Sequence, residues 1–273
     1  MAARPLKDAG IVITRPAHQG EVLKARLEAK GAQVLHFPSI EIAPVAPSAE
    51  LSNCLERLDQ YHYAIFISPN AVEYAAGLID FAALPDTLKI AAIGPGTARA
   101  LTAHGRKPDM LPRDGASSEA LLKLRALHAV NRKRVVIFRG QGGRELLAET
   151  LEDRGADVDY AEVYRRAVPR SEIGELSRWF REGRVDVIAV TSREALLNLD
   201  RMLSPALTPY LRAAQFLVSS PRLIKLVSAL GVRRRPLVSN DASDAALVNT
   251  LVKWWPDRGQ QQHRNRREHE RSE

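Results

Sequence analysis

The chain reads as an α/β protein of two similar doubly wound parallel-sheet lobes, joined by a two-stranded connector, with a cleft between them. Three observations carry that reading. Residues 11–34 (IVITRPAHQGEVLKARLEAKGAQV) match residues 135–158 (VVIFRGQGGRELLAETLEDRGADV) without a gap at an offset of 124, and 10 of the 24 aligned positions are identical. Short apolar runs of strand length alternate with helical periodicities along the chain, as expected of parallel sheets covered on both faces. Hydrophobic residues make up 45% of the chain but aromatics only 5%, so the core must be aliphatic.

The elements follow in order. Ile11–Thr14 is a short apolar strand. Val22, Leu23, Leu27 and Ala29 give helical spacing, and Gly31 closes that helix as a C-terminal cap. Strand Val34–Phe37, helix Ala49–Leu58 and strand Tyr63–Ile67 come next. Helix 70–80, strand 88–93, helix 96–104, strand 108–111 and helix 118–129 complete the first copy. The second copy runs strand 134–138, helix 143–154, strand 157–161, helix 171–182, strand 186–190 and helix 193–203. Strand 214–218, helix 222–230, strand 235–238 and helix 243–255 close it.

The repeat extends beyond its strongest stretch. Ile67-Ser68 before Ala71 is echoed by Thr191-Ser192 before Ala195 at the same offset. Ile93-Gly94-Pro95 is echoed by Ser219-Ser220-Pro221 at 126. A period this long signals paired domains, not a solenoid. Two extended segments, Ile40–Pro44 and Tyr164–Val168, are also 124 apart and read as connectors. Two connectors imply two crossings between lobes. One lobe then combines 1–39 with 169–256, the other runs over 44–161, and 40–43 and 162–168 join them. Two consecutive domains split near residue 130 is the other arrangement the sequence permits.

Composition narrows the function. The net charge is +8 and favours an anionic partner. The tail 257–273 holds five Arg and four acids and no apolar residue, so it reads as disordered and adds little charge. Nucleic-acid binding is not expected from charges that nearly cancel. No apolar run has the length of a membrane span, and the N-terminus has no apolar stretch of a secretory signal, so a cytoplasmic protein without membrane association is expected. The one cysteine, Cys54, excludes an internal disulfide and a cysteine-based metal site.

In doubly wound sheets, ligands bind beyond the carboxyl ends of the strands, at helix N-termini. Those positions here are Thr14-Arg15-Pro16, Ser68-Pro69-Asn70, Gly94-Pro95-Gly96-Thr97, Ser117-Ser118, Arg139-Gly140-Gln141-Gly142-Gly143-Arg144, Thr191-Ser192-Arg193, Ser219-Ser220-Pro221 and Ser243. Free N–H groups, small hydroxyls and the positive end of the helix dipole suit anions. Each is also an ordinary helix cap, but the set in a basic protein points to a ligand with many carboxylates or phosphates. The loop 139–144 is neither a Walker loop nor a dinucleotide fingerprint, because Glu145 stands where the third glycine belongs. No His/Cys metal cluster, nucleophile elbow or paired carboxylates stand out, and His18 and His62 read as structural or surface residues. Catalysis built from these parts would rest on positioning and electrostatics.

The motifs Ile-Thr-Arg-Pro (13–16), Phe-Ile-Ser-Pro-Asn-Ala-Val (66–72), Ala-Ile-Gly-Pro-Gly-Thr-Ala (92–98), Arg-Gly-Gln-Gly-Gly-Arg (139–144), Val-Tyr-Arg-Arg (163–166) and Val-Thr-Ser (190–192) stand in the order of a known family. Across residues 10–256 the chain resembles the uroporphyrinogen-III synthases. The resemblance implies two α/β lobes and a cleft for a linear tetrapyrrole with eight carboxylate arms. It implies cyclisation of hydroxymethylbilane with inversion of ring D and loss of water, a hydro-lyase reaction of haem biosynthesis that uses no cofactor or metal. It implies a monomer that receives its substrate by hand-over from the preceding enzyme. By the same resemblance Tyr164 matches a connector tyrosine that assists departure of the hydroxyl. Thr14, Arg15, Ser68, Asn70, Thr97, Arg139, Gly140, Thr191, Ser192, Ser219 and Ser220 fall at or near substrate-binding positions. Two departures stand out: Ile67 replaces a frequent Thr, and Ser219-Ser220-Pro221 replaces a Gly-containing turn. The alternative reading is a two-lobed cytosolic protein that binds an anionic polycarboxylate without chemistry.

Overall fold

The computed structural model describes residues 4–170 and 172–269, with side chains to Pro256 except that of His18. In chain order the elements are β1 (Gly10–Ile13), α1 (Ala17–Glu28), β2 (Gln33–His36), β3 (Glu41–Pro44), α2 (Ala49–Glu56), β4 (Tyr63–Phe66) and α3 (Pro69–Ala76). Next come β5 (Lys89–Ala92), α4 (Pro95–Ala103), α5 (Ser118–Leu122), β6 (Arg134–Gly140), α6 (Leu146–Asp153) and β7 (Asp157–Ala167). The chain ends with α7 (Gly174–Arg181), β8 (Val187–Val190), α8 (Arg193–Met202), α9 (Thr208–Ala213), β9 (Gln215–Val218), α10 (Arg222–Ala229), β10 (Leu237–Val238) and α11 (Asp244–His269).

Contacts divide the chain into two units. Lobe 1 is Met1–Glu41 with Ala167–Glu273, and lobe 2 is Ile42–Arg166. The strand order is β10-β9-β8-β1-β2 in lobe 1 and β3-β7-β6-β4-β5 in lobe 2. Strand β1 pairs in parallel with β2 and β8, and β4 with β5 and β6. Each lobe therefore takes part of each sequence copy. The seams β1/β8 and β4/β6 join strands from different copies, so neither copy completes a sheet alone. The two connector segments end up as neighbours: β3 lies beside β7 in the sheet of lobe 2.

Strand side chains alternate between faces, and the core of lobe 2 follows that alternation. Ala64, Phe66, Ile90, Ala92, Val136 and Phe138 share one cluster with Val72 and Ala75 of α3. Ile65, Ala91, Val135 and Ile137 share another with Leu121, Leu147 and Leu151. In lobe 1, Ile11, Ile13, Ala189 and Leu217 pack on Leu23 and Leu27 of α1 and on Leu247 and Leu251 of α11. Each fully buried aliphatic side chain of this kind stabilises the fold by about 1.5–3 kcal/mol. Val22 points outward, whereas Leu23 and Leu27 of α1 are buried.

Several elements depart from the sequence reading. The strand at 108–111 is reduced to a single parallel bridge, Ala91 to Met110, because Pro108 and Pro112 bracket it and cannot donate to a ladder. Strand β10 keeps two residues, following Pro236. The helix over 118–129 breaks after Leu122 and resumes as a 3-10 turn at Arg125–Leu127. A straight helix would spread Leu121, Leu122, Leu127 and Val130 around its axis, whereas the break puts all four in one cluster. Helical backbone continues through Pro256 to His269, over much of the segment whose composition reads as disordered. Its Gln, Arg and Glu residues are good helix formers.

Candidate active site

In lobe 2 the central strands end side by side. Phe66 of β4 lies opposite Phe138 of β6, and their rings stack at 4.4 Å. The chain then passes through Ile67 and Ser68 into α3. Ser68 Oγ accepts the Ala71 N–H at 3.0 Å and caps the helix, and Pro69 takes the first position, where its missing N–H costs nothing. Strand β7 brings Tyr164 to the same place. Its phenol oxygen lies 3.2 Å from Ser68 Oγ, and the residue is 2% exposed.

Gly140 makes the room for that ring. It pairs with Tyr164 after a register shift between Arg139 and Gly140, and a Cβ on it would lie 2.4 Å from Tyr164 Cε2. The role of Gly140 is thus close packing under the tyrosine. Tyr74 of α3 closes another side, with ring centroids 5.8 Å apart. Its hydroxyl donates to the Ile42 carbonyl of β3 at 2.5 Å. Asn70 is half-buried in the first turn of α3.

The glycine loop beyond β6 is filled by its own charges. Arg139 is 6% exposed. Its guanidinium donates to Glu162 at 3.1 Å and 3.2 Å and to Glu145 at 3.1 Å and 3.2 Å. It also lies 3.7 Å over the Tyr160 ring, and the Tyr160 hydroxyl donates to Glu145. Burial works against the Arg139 charge, and the hydrogen bonds that it donates to Glu145 and Glu162 more than offset it. Hydrogen bonding from Tyr160 and, against burial, from Arg139 holds Glu145 below the usual carboxylate range. The Gly142 N–H faces Glu162 Oε1 at 3.4 Å. The anion that this loop accepts is therefore internal, and Arg139 is a brace. The Gln141 N–H donates to the Tyr164 carbonyl at 2.8 Å, which links the brace to the tyrosine.

Lobe 1 ends its strands differently. Thr14 is buried, with Oγ1 donating to the Ala189 carbonyl of β8 at 3.0 Å, so it ties two strands together. Thr97, on the first turn of α4 in lobe 2, is likewise buried. Neither presents a hydroxyl at its lobe's surface. Arg15 pairs with Asp244 at the start of α11, at 2.5 Å, and also donates to the Ala242 carbonyl. Ser192 caps α8 by accepting the Ala195 N–H at 3.0 Å. Ser219 Oγ donates to the Thr191 carbonyl at 2.8 Å. Ser220 and Thr191 are half-buried beside one cavity, which Arg193, Arg222 and Lys225 also line.

The structure thus brings Ser68, Gly140 and Tyr164 together in lobe 2, with Asn70 in the helical turn that Ser68 caps, and Thr191, Ser192, Ser219 and Ser220 together in lobe 1. Both arginines are already ion-paired. Sequence reasoning missed their partners, Glu145, Glu162 and Asp244. One signal was available: Glu21 and Glu145 recur six residues after Arg15 and Arg139. His62 accepts the Arg134 N–H at 3.1 Å, away from these strand ends, and His18 lies outside the described side chains. Among the described residues no group of three metal-ligating side chains assembles.

Comparison with known proteins gives a consistent result. Residues 21–249 match the family model described as "Uroporphyrinogen-III synthase HemD". The chain is 35% identical over 244 residues to the uroporphyrinogen-III synthase of Escherichia coli K12, covering 87% of this chain and 98% of that one. It is 36% identical over 246 residues to the Salmonella typhimurium LT2 protein of the same name, with the same coverage, 87% and 98%. The fold matches a crystal structure of a mutant uroporphyrinogen III synthase from Thermus thermophilus with a TM-score of 0.56, at 22% identity, over 93% of this chain and 100% of that one.

Proposed function

The chain belongs to the uroporphyrinogen-III synthase family, and from that premise we propose that it closes hydroxymethylbilane into uroporphyrinogen III as a hydro-lyase of haem biosynthesis. The observation that carries the chemical part is the hydroxyl pair of Tyr164 and Ser68 at the N-terminus of α3. Tyr164 itself is buried, while Ser68 is half-buried. The pair therefore works as a relay with Ser68 outermost.

Ser68 Oγ already accepts the Ala71 N–H. Its second lone pair receives the Tyr164 proton while its own proton passes to the terminal hydroxyl of the bilane. The C–O bond breaks, water leaves, and the pyrrole nitrogen supports the resulting azafulvene. The substituted carbon of ring D attacks to give a spiro intermediate, which fragments and recloses with ring D inverted. The proton lost when ring D regains aromaticity restores the pair. A phenol is a modest general acid, which suits a leaving group already pushed by an electron-rich pyrrole. Beyond that, the protein has only to hold the substrate folded.

The proposal extends to a cytoplasmic monomer that takes its substrate by hand-over from the enzyme that makes it. No helix among the described residues is long and apolar enough to cross a membrane. The test is coupled turnover of hydroxymethylbilane with isomer analysis. Uroporphyrinogen III as product is expected. Binding of the bilane with only the I isomer formed would return the reading to a polycarboxylate-binding protein without catalysis.

A further inference from the structure

We infer that Tyr74 is a positioning residue for the reaction, holding Tyr164 against Ser68 by tying helix α3 to strand β3. The inference rests on the proposed function and names a residue that none of the strand-end motifs contains. It starts from the sequence of α3. Ala71, Val72 and Ala75 are its buried stripe. Tyr74 is half-buried at the edge of that stripe, packed against the same cluster as Ile42 and Tyr164. A phenylalanine would fill such a position by packing alone. Tyr74 adds a hydroxyl, which donates to the Ile42 carbonyl at 2.5 Å. Its ring lies 5.8 Å from the Tyr164 ring at 35°, within the range in which aromatic rings attract. The Tyr164 ring is thus held by Gly140 on one side and by Tyr74 on another.

These contacts close a circuit. Ser68 caps α3, and its Oγ meets Tyr164 of β7. Strand β7 pairs with β3, and Ile42 of β3 returns to α3 through Tyr74. Helix α3 is therefore tied to the β3/β7 edge at Ser68 and again at Tyr74, about 9 Å further along its axis. One tie leaves a helix free to roll about it, and a second fixes its place. The two reacting hydroxyls stand 3.2 Å apart. A displacement of about 1 Å can cost about a hundredfold in rate.

The duplicated position makes the same kind of bond with a different consequence. Asn198 of α8 is the counterpart of Tyr74 at the offset of 124. It is buried, and its Nδ2 donates to the Ser39 carbonyl at 2.9 Å. Each copy thus anchors a helix to a main-chain carbonyl near the first connector, Ser39 in lobe 1 and Ile42 in lobe 2. The counterpart of Tyr164 in the first copy is Ile40, which has no proton to place. In lobe 2 the anchor carries an aromatic ring that also bears on the tyrosine.

The test is a double-mutant cycle of Tyr74→Phe and Tyr164→Phe in the full chain, read as kcat for uroporphyrinogen III formation, KM and Tm. Tyr74→Phe keeps the ring, and Ile42 is half-buried, so water can reach the freed carbonyl and the variant folds. In the wild-type background kcat is expected to fall about tenfold, with KM within about twofold. In the Tyr164→Phe background the same substitution changes kcat by less than about twofold, because no phenol proton remains to be placed. Asn198→Ala removes the counterpart bond in lobe 1, and lowers Tm while leaving kcat within about twofold. An equal fall in kcat in both backgrounds, wild-type kcat in Tyr74→Phe, or an equal fall in Asn198→Ala would overturn the role. Should Tyr74→Phe not fold, Tyr74→His enters the same cycle under the same criterion. Failure of the proposed function shows separately, as wild-type chain that makes no uroporphyrinogen III or as Tyr164→Phe with wild-type kcat, and both are measured first.

Discussion

Arg15 and Arg139 occupy the same place in the two sequence copies, and the lobes use them differently. In lobe 2, Arg139 is enclosed by Glu145, Glu162 and the Tyr160 ring. In lobe 1, Arg15 turns to Asp244, far along the chain. Its copy's glutamate, Glu21, instead faces His36 Nδ1 at 3.2 Å, and His36 Nε2 lies 3.0 Å from the Arg15 carbonyl oxygen. His36 is the counterpart of Tyr160 at the same offset. The duplicated triplet is thus Arg-Glu-His in one lobe and Arg-Glu-Tyr in the other, with the contacts redistributed. Lobe 2 pairs Arg139 and Arg144 with carboxylates and supports a buried tyrosine. Lobe 1 leaves Arg193, Arg222 and Lys225 exposed around one cavity. A shared scaffold does not imply a shared role. In the proposed function the proton relay lies in lobe 2, in the hydroxyl pair of Tyr164 and Ser68.

The largest effect expected from this contrast is at Tyr164. Tyr164→Phe keeps the ring under Gly140 and removes the hydroxyl, so kcat should fall about a hundredfold, the lower end for a general acid, with KM within twofold. Its counterpart in the first copy is Ile40, which carries no hydroxyl to compensate. Gly140→Ala comes next. The new methyl meets the tyrosine ring at 2.4 Å, and the ring must shift, so kcat should drop about tenfold and stability by about 1–3 kcal/mol. Wild-type values in that variant would show that ring position is not set by Gly140.

The arginines separate the lobes by stability. Arg139→Leu leaves two carboxylates facing each other, and because both are partly solvated the cost should be about 2 kcal/mol. Arg15→Leu should cost about 1 kcal/mol, since it leaves one acid that also lies near Arg26. Denaturant unfolding checks both, and equal costs would remove the distinction drawn here.

The smallest effect concerns pH. Glu145 sits below its ordinary range, and Glu119 is held down to about 2 by its own backbone, Arg144 and Ser117. A carboxylate with a lowered folded pKa contributes fully above its unfolded value of about 4.3 and loses that contribution as pH falls through the folded value. Lobe 2 should therefore lose melting temperature between about pH 4.3 and 2. Glu119→Gln should flatten part of that fall, and a fall that is identical in the variant would assign it to other groups.

Much of the fold was legible because its signals are local. The offset of 124 and the apolar strands are visible without any partner. The duplicated connectors pointed to an exchange of segments between lobes, but the sequence also permitted two consecutive domains, and the seams β1/β8 and β4/β6 appear only when the pairing is seen. The break after Leu122 was not legible, because periodicity does not record that Leu121, Leu122, Leu127 and Val130 all serve one core. Prolines 108, 112 and 236 were visible and should have shortened two strands. At the site, caps such as Ser68 and Ser192 were legible by their spacing from the following helix. Whether an arginine is open or braced was not, because Glu162 and Asp244 lie 23 and 229 positions from the arginines they bind. Arg193 stood in a strand-end motif, whereas Arg222 and Lys225 carried no signal of their own, and only the fold places them beside the same cavity.

The most direct test of this division is the steady-state kinetics of Tyr164→Phe with hydroxymethylbilane, with the product resolved by isomer. Uroporphyrinogen III is expected, with kcat lowered about a hundredfold and KM within twofold of wild type. Wild-type kcat, or a rise in KM with kcat unchanged, would contradict the assignment of proton transfer to lobe 2.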